Sequence, residues 1–410
     1  MASTSLAEST SLRRLAAEAR EWLFEAAAPR WRATLGSEPP LFPERQSICA
    51  EREACPHRLF VQARHIFSYC ELGRHGWNGP WREMVSANID FLLGRGRRAD
   101  GFYIHKFEPD GAVHDPRADL YDQAFMLLAF AHAGRALRRP DLFACAEALG
   151  DALERNWRLP HGGYYEGEIA ACPPYRQNPH MHLLESFIAL HVASGASRWR
   201  EAAEQIAKLC SSRFLDKEAG ALLEYFDADL RPLDGDEGRI VEPGHCFEWA
   251  WLFETLAEWG APGAVAASDR LTAFGRRHGL DAGRGVAVNE VRTDGSVRNA
   301  HARLWPQTER LKLALARHRR TGDPAESDEA AAAYAGLRKY FDTPSRGVWR
   351  DKLGPDNAWL DEPSPGSSLY HITCAFSELI DTAEATEIGV CNRGSTRKPS
   401  GRPRLTRAGD

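Results

Sequence analysis

The chain has 410 residues, 43% of them hydrophobic and 27% charged, and 52 Lys and Arg against 57 Asp and Glu leave it at −5. That mixture excludes a disordered or fibrous chain. It also lacks the domain-wide basic field of a nucleic-acid binder.

The nine cysteines form no CxxC pair, so neither a metal cage nor a disulfide framework is readable, and free thiols in a reducing cytoplasm are expected. The start, MASTSLAESTSLRR, has no apolar h-region, so no signal peptide is expected. No run of eighteen apolar residues suggests a membrane span.

Apolar residues recur at helical spacing near 10–27, 57–72, 81–94, 119–135, 141–156, 179–194, 198–213, 244–259, 263–279, 302–319, 325–341 and 368–382. The links alternate. Those near 73–80, 136–140, 195–197, 260–262 and 320–324 are short, and several hold Gly or Pro, as antiparallel helix turns do. Those near 28–56, 95–118, 157–178, 214–243, 280–301 and 342–367 are long. Two of the long links carry Asp-Gly pairs between apolar runs, Asp110-Gly111 and Asp294-Gly295, which predict small β-hairpins.

Six helical hairpins with alternating links predict an all-α fold, an (α/α)6 barrel with its long links and β-hairpins at one mouth. An open α-solenoid is the alternative, but no fixed-period repeat is visible. Residues 1–383 are expected to form one domain. Residues 384–410, rich in Arg, Pro and Gly, are expected to be a disordered basic tail.

The helices that follow long links begin with chemistry-bearing residues. They open with Gln62, Arg64 and His65; Asp119, Tyr121 and Asp122; Asn178, His180, His182 and Glu185; His245, Glu248 and Trp249; Trp305, Gln307 and Glu309; and Tyr370 and His371. Helix starts gathered at one mouth would aim their positive dipole ends at a polar, aromatic-walled pocket of carbohydrate size. That suits an anionic intermediate such as an enediolate.

His65 reads as a packing histidine and Asp119 as an N-cap. His180 and His182 are two apart and point to different sides of a helix, so a shared metal is not expected. His245 and Glu248, three apart, read as a histidine–carboxylate pair suited to proton transfer. Asp119, Asp122, Glu185, Glu248 and Glu309 are candidates for the paired carboxylates of a glycosidase, so a hydrolase stays open. So does a non-catalytic helical scaffold. No phosphate-binding Gly-rich loop is visible, and Arg239 is a candidate for an anionic group.

The strings Val-Gln62-Ala-Arg64, Leu-Tyr121-Asp122-Gln-Ala-Phe, Gln177-Asn178-Pro-His-Met-His182-Leu-Leu-Glu185, Pro-Gly-His245-Cys-Phe-Glu248-Trp249, Arg303-Leu-Trp305-Pro-Gln307-Thr-Glu309 and Ser-Leu-Tyr-His371-Ile resemble the N-acylglucosamine 2-epimerase superfamily. The resemblance implies an (α/α)6 barrel that works without metal or cofactor. It implies that His371 is the base at C2, that His245 assists ring opening and proton transfer, and that Arg64 binds the substrate oxygens. It makes Tyr121, Asn178, His182, Glu185, Glu248, Trp249, Trp305, Gln307 and Glu309 substrate-binding residues.

The last string is similar to the mannose isomerase branch. The expected activity is therefore interconversion of D-mannose and D-fructose, with D-lyxose as a further substrate. A 2-epimerase acting on cellobiose or an N-acylated hexosamine is the alternative. The expected partner is a monosaccharide alone, in a monomer or homodimer, without nucleic acid or membrane.

Overall fold

Apolar side chains three and four residues apart can be buried only by packing one helix on another, and a computed structural model shows how this chain does it. It describes residues 2–49, 51, 55–160 and 162–394. The α-helices are α1 (Ala2–Trp22), α2 (Ala28–Ala33), α3 (Leu59–Arg74), α4 (Trp81–Phe91), α5 (Leu120–Leu137), α6 (Pro140–Asn156), α7 (Asn178–Ser194), α8 (Ser197–Leu209), α9 (Pro243–Glu258), α10 (Ala264–His278), α11 (Leu304–Thr321), α12 (Pro324–Arg338) and α13 (Ser368–Gly394).

Three ends differ from expectation, the first being the start of α1, at Ala2 rather than near residue 10. The sequence predicts a first helix that stops near 27, before Pro29. A π-turn, Leu23–Ala27, instead joins α1 to α2, and Pro29 sits in the first turn of α2, where no N–H is needed. The sequence predicts a last helix that ends near 382. It runs to Gly394. The rest of the expected tail, 395–410, lies outside the described residues.

Two kinds of helix result. α3, α5, α7, α9, α11 and α13 are buried along most of their length. α8 buries only one stripe, Trp199, Ala203, Ile206 and Leu209, as a surface helix does. Each fully buried helix packs against the next, α3 on α5, α5 on α7, α7 on α9, α9 on α11 and α11 on α13, and α13 returns to α3. The amphipathic helices cover them from outside.

The long links are laced in the same cyclic order. The short strand before α3, His57–Arg58, pairs with Lys106–Phe107 of the next link, which also forms the expected hairpin with Val113–Asp115. Asp119, before α5, bridges to Gly167. Tyr175–Arg176 pairs with Tyr225–Phe226, Ile240–Val241 with the expected hairpin at Glu290–Arg292, and Ala302–Arg303 with Lys352–Leu353. Ser364–Pro365, before α13, pairs with Arg45–Gln46 of the first link and completes the circuit.

A recurrent clasp fixes these links. Gln62, Gln123 and Gln307 hold the same fourth position in α3, α5 and α11. Each side-chain oxygen accepts the backbone N–H of a residue 20 positions upstream, Phe42, Tyr103 and Ala287. Each amide nitrogen donates to the carbonyl of that same residue. One buried side chain thereby satisfies two loop backbone groups that would otherwise be orphaned. Among the described residues, no helix is long and apolar enough to cross a membrane.

Candidate active site

Where the six buried helices begin, they enclose a cavity of about 160 Å³. That is below the ~300–1,000 Å³ of pockets for drug-sized ligands and fits a small one. Arg64, Tyr121, Asn178, His182, His245, Glu248, Trp305 and His371, all singled out in the sequence, line it. Glu242, Arg303, Ser367 and Ser368 complete the wall.

The remaining expected residues lie elsewhere. Glu185 and Glu309 stand behind the wall, hydrogen-bonded to His182 and His371. Trp249 is fully buried, donates its indole N–H to Gln177 Oε1 at 2.6 Å and packs on Phe214, so it belongs to the core. Gln307 is one of the three clasps and does not face the cavity. His65 lies stacked on Phe42 at 4.7 Å, fully buried, a packing residue as expected. His180 accepts the Tyr164 N–H, turned away from His182. Asp119 caps α5, accepting the Tyr121 N–H at 2.8 Å. Arg239 is paired with Asp294 in the hairpin region and does not line the cavity.

The expected His245–Glu248 pair is not made. His245 Nδ1–H donates instead to Glu224, 3.0 Å from both carboxylate oxygens. Glu224 reaches it from the preceding long link, next to the strand Tyr225–Phe226, a tertiary placement that no local spacing reveals. Burial opposes charge on His245, but Glu224 and then Glu242 outweigh it and raise the pKa to about 9. Its Nε2 lies 3.0 Å from the Asn178 amide. With the amide turned over, an imidazolium Nε2–H donates to the otherwise unpartnered Asn178 Oδ1.

His371 is the opposite case. Its Nδ1–H donates to Glu309 at 2.8 Å, which leaves Nε2 for the cavity. Burial, then the nearby Arg64 and Lys312 charges, push its pKa well below the usual histidine value, so it is neutral at pH 7. Trp305 lies between the two histidines, with ring centroids 4.8 Å from His245 and 5.7 Å from His371. Gly244 makes that possible, because a Cβ there would stand 2.6 Å from the Trp305 ring.

Beneath the floor lies Lys312, wholly buried and 2.6 Å from Glu309 Oε2. Its ammonium stands 3.8 Å from the centre of the Trp251 ring. Burial works against its charge, yet Cys374, Glu309, Glu248 and Glu185 around it hold its pKa well above the ordinary lysine value. This lysine balances carboxylates that would otherwise be buried unpaired. Burial and the Glu309 charge push the carboxyl of Glu248, which lines the cavity, well above the carboxylate range. Burial lowers His182 to about 4, and the neutral ring donates to Glu185.

Arg64 donates to Tyr121 Oη at 2.7 Å and to the Ser367 carbonyl at 3.3 Å. The guanidinium is packed against the rings of Phe125 and Tyr370. Its Nε has no partner, and no carboxylate pairs with it among the described residues. A fixed cation without an anion is suited to an oxyanion forming in the cavity.

Among the described residues, three groupings hold donor atoms within 4.8 Å and could take an ion: His182, Glu185 and Glu248; Glu224, Glu242 and His245; Glu248, Glu309 and His371. In each, the imidazole Nδ1 is already engaged with a carboxylate of the group.

Residues 48–375 match the N-acylglucosamine 2-epimerase (GlcNAc 2-epimerase) family. The chain belongs to this family. Within it, the chain is 39% identical over 376 residues to a mannose-6-phosphate isomerase of Rhizobium meliloti, covering 89% of this chain and 97% of the relative. It is 28% identical to a D-mannose isomerase of Thermobifida fusca, over 66% of this chain and 71% of the relative. The cellobiose 2-epimerase structure from Spirochaeta thermophila superposes with a TM-score of 0.81 at 23% identity, covering 92% of this chain and 98% of that one, a likeness of fold. The protein is an isomerase or epimerase acting on sugars.

Proposed function

We propose that this protein is an aldose–ketose isomerase for the mannose skeleton, interconverting D-mannose, or a derivative of it, with the corresponding fructose. In this reading the cyclic order of helices and links is an (α/α)6 barrel, and its mouth holds the site. The observation that carries the reading is the pair of histidines on one cavity, held in opposite protonation states. Environments that push two titratable groups apart assign the acid and the base.

The open-chain aldose places C1 and C2 between them. Neutral His371 Nε2 takes the C2 proton as imidazolium His245 protonates O1, giving an enediol. The O2 proton passes to His245, and imidazolium His371 returns its proton to C1. A C2–H and an O2–H bond break, a C1–H and an O1–H bond form, and both histidines end as they began. Arg64 with Tyr121 stabilises the negative charge developing on the substrate oxygens. Glu224 and Glu309 each fix a ring tautomer through Nδ1. The relatives' names favour mannose as the skeleton.

A 2-epimerase is the second reading, because imidazolium His245 also holds a proton deliverable to the opposite face of C2. A hydrolase is disfavoured. Of the five candidate carboxylates, Glu185 and Glu309 are behind the wall, Asp119 is a cap and Asp122 is bonded to His105, which leaves Glu248 on the cavity without a second of the five as its catalytic partner. A panel of mannose, mannose 6-phosphate, lyxose, cellobiose and N-acetylglucosamine, with His371→Ala as the blank, tests the reading. Ketose from a mannose substrate is expected. A 2-epimer as sole product gives the second reading, and no change in any sugar overturns both.

A further inference from the structure

The catalytic cavity adjoins a larger one, of about 560 Å³, with which it shares Arg303 and Ser367. Two of the lacing strand pairs face it. Arg58 stands directly opposite Lys106, and Arg303 directly opposite Lys352. Like charges placed opposite each other across paired strands destabilise a sheet. Here the arrangement occurs twice, on one cavity.

Carboxylates answer three of the four cations. Arg58 pairs with Glu44, Arg303 with Asp351 at 3.3 Å, and Lys352 with Glu362 at 2.9 Å. Lys106 makes no ion pair among the described residues; Asp115, opposite it on its other flank, is taken by Arg117 at 2.7 Å. The Arg58 and Arg303 side chains are 37% and 39% exposed, so both can turn toward a ligand. Among the described residues, no Phe, Tyr or Trp ring lines this cavity. It therefore lacks the flat apolar platform on which a second neutral sugar ring would stack.

We propose that this outer cavity is a subsite for a phosphate monoester on the far end of the aldose whose C1 and C2 lie between His371 and His245. Lys106 supplies the cation that is not held in an ion pair. Arg303, on the wall common to both cavities, spans the ester and the sugar. Fork-shaped guanidinium groups suit phosphate oxygens, and a dianion relieves the repulsion within both facing cation pairs. The proposal rests on the isomerase reading for the placement of the sugar, but its test is one of binding.

Isothermal titration of the full chain with mannose, mannose 6-phosphate, inorganic phosphate and cellobiose decides it. The ester is expected to bind at least about tenfold tighter than mannose, about 1.4 kcal/mol, the scale of one hydrogen bond to a charged group. Inorganic phosphate should compete with the ester, and added salt should erode the advantage. Lys106→Glu should reduce the ester's advantage to less than about threefold, with Lys106→Met in between. Mannose binding as tightly as its ester, cellobiose binding more tightly than both, an advantage untouched by Lys106→Glu, or no binding of the ester each overturns the subsite. An ester advantage without ketose formation would sustain the subsite and remove the isomerase reading.

Discussion

Two imidazoles of the same chemistry do different work because their Nδ1 partners sit in different fields. Glu224 and Glu242 bring net negative charge to His245. At His371 the Glu309 charge is offset by Lys312 and Arg64. Activity in the proposed cycle needs His371 neutral and His245 charged. The alkaline limb of kcat/KM should therefore fall near the His245 value of about 9. Glu224→Gln keeps the hydrogen-bond geometry and removes the charge that raises His245. Its alkaline limb should move down by about one pH unit or more, and an unmoved limb would contradict the assignment. The same linkage sets a stability sign. A histidine raised in the folded state adds stability that is full below its unfolded pKa and is lost as pH rises through about 9. Both histidines, Arg64 and Trp305 were legible because each stands at a fixed place in a helix start. Glu224 and Lys312 were not, since their roles arise only when a link folds back or when a floor closes over a helix.

At the scale of elements, the glutamine clasps explain how long links are held without much regular structure. Replacing Gln123 by Leu leaves the Tyr103 N–H and carbonyl buried without partners. Each such loss costs about 1–3 kcal/mol. Gln123→Leu should therefore lower the unfolding free energy by about 2–6 kcal/mol, read by denaturant unfolding, and a change within error would show that the link is held by other contacts. The twelve helical segments were readable from apolar spacing. The clasps were not, because the repeat consists of one residue per unit and a backbone partner whose side chain varies: Phe42, Tyr103 and Ala287. Helix ends depart from the apolar pattern where Pro29 fits a first turn and where α13 continues past Ala383 to Gly394.

For the whole molecule, alternation of long and short links foretold helical hairpins. The return of α13 to α3 and of Ser364–Pro365 to Arg45–Gln46 is a long-range fact that the sequence carries only as a pattern. The cycle proposed for this assembly uses side chains alone. Exhaustive dialysis against EDTA should leave kcat/KM unchanged, and loss of activity restored by an added divalent ion would place a metal in one of the three histidine–carboxylate groupings. The central claim is proton transfer through His371, and the most direct measurement is NMR of the reaction in D2O with mannose and mannose 6-phosphate. The account predicts ketose from the native protein, its new C1 hydrogen being either the one transferred from C2 or solvent deuterium exchanged onto the His371 imidazolium, and neither ketose nor exchange from His371→Ala. Ketose formation that survives His371→Ala would contradict it.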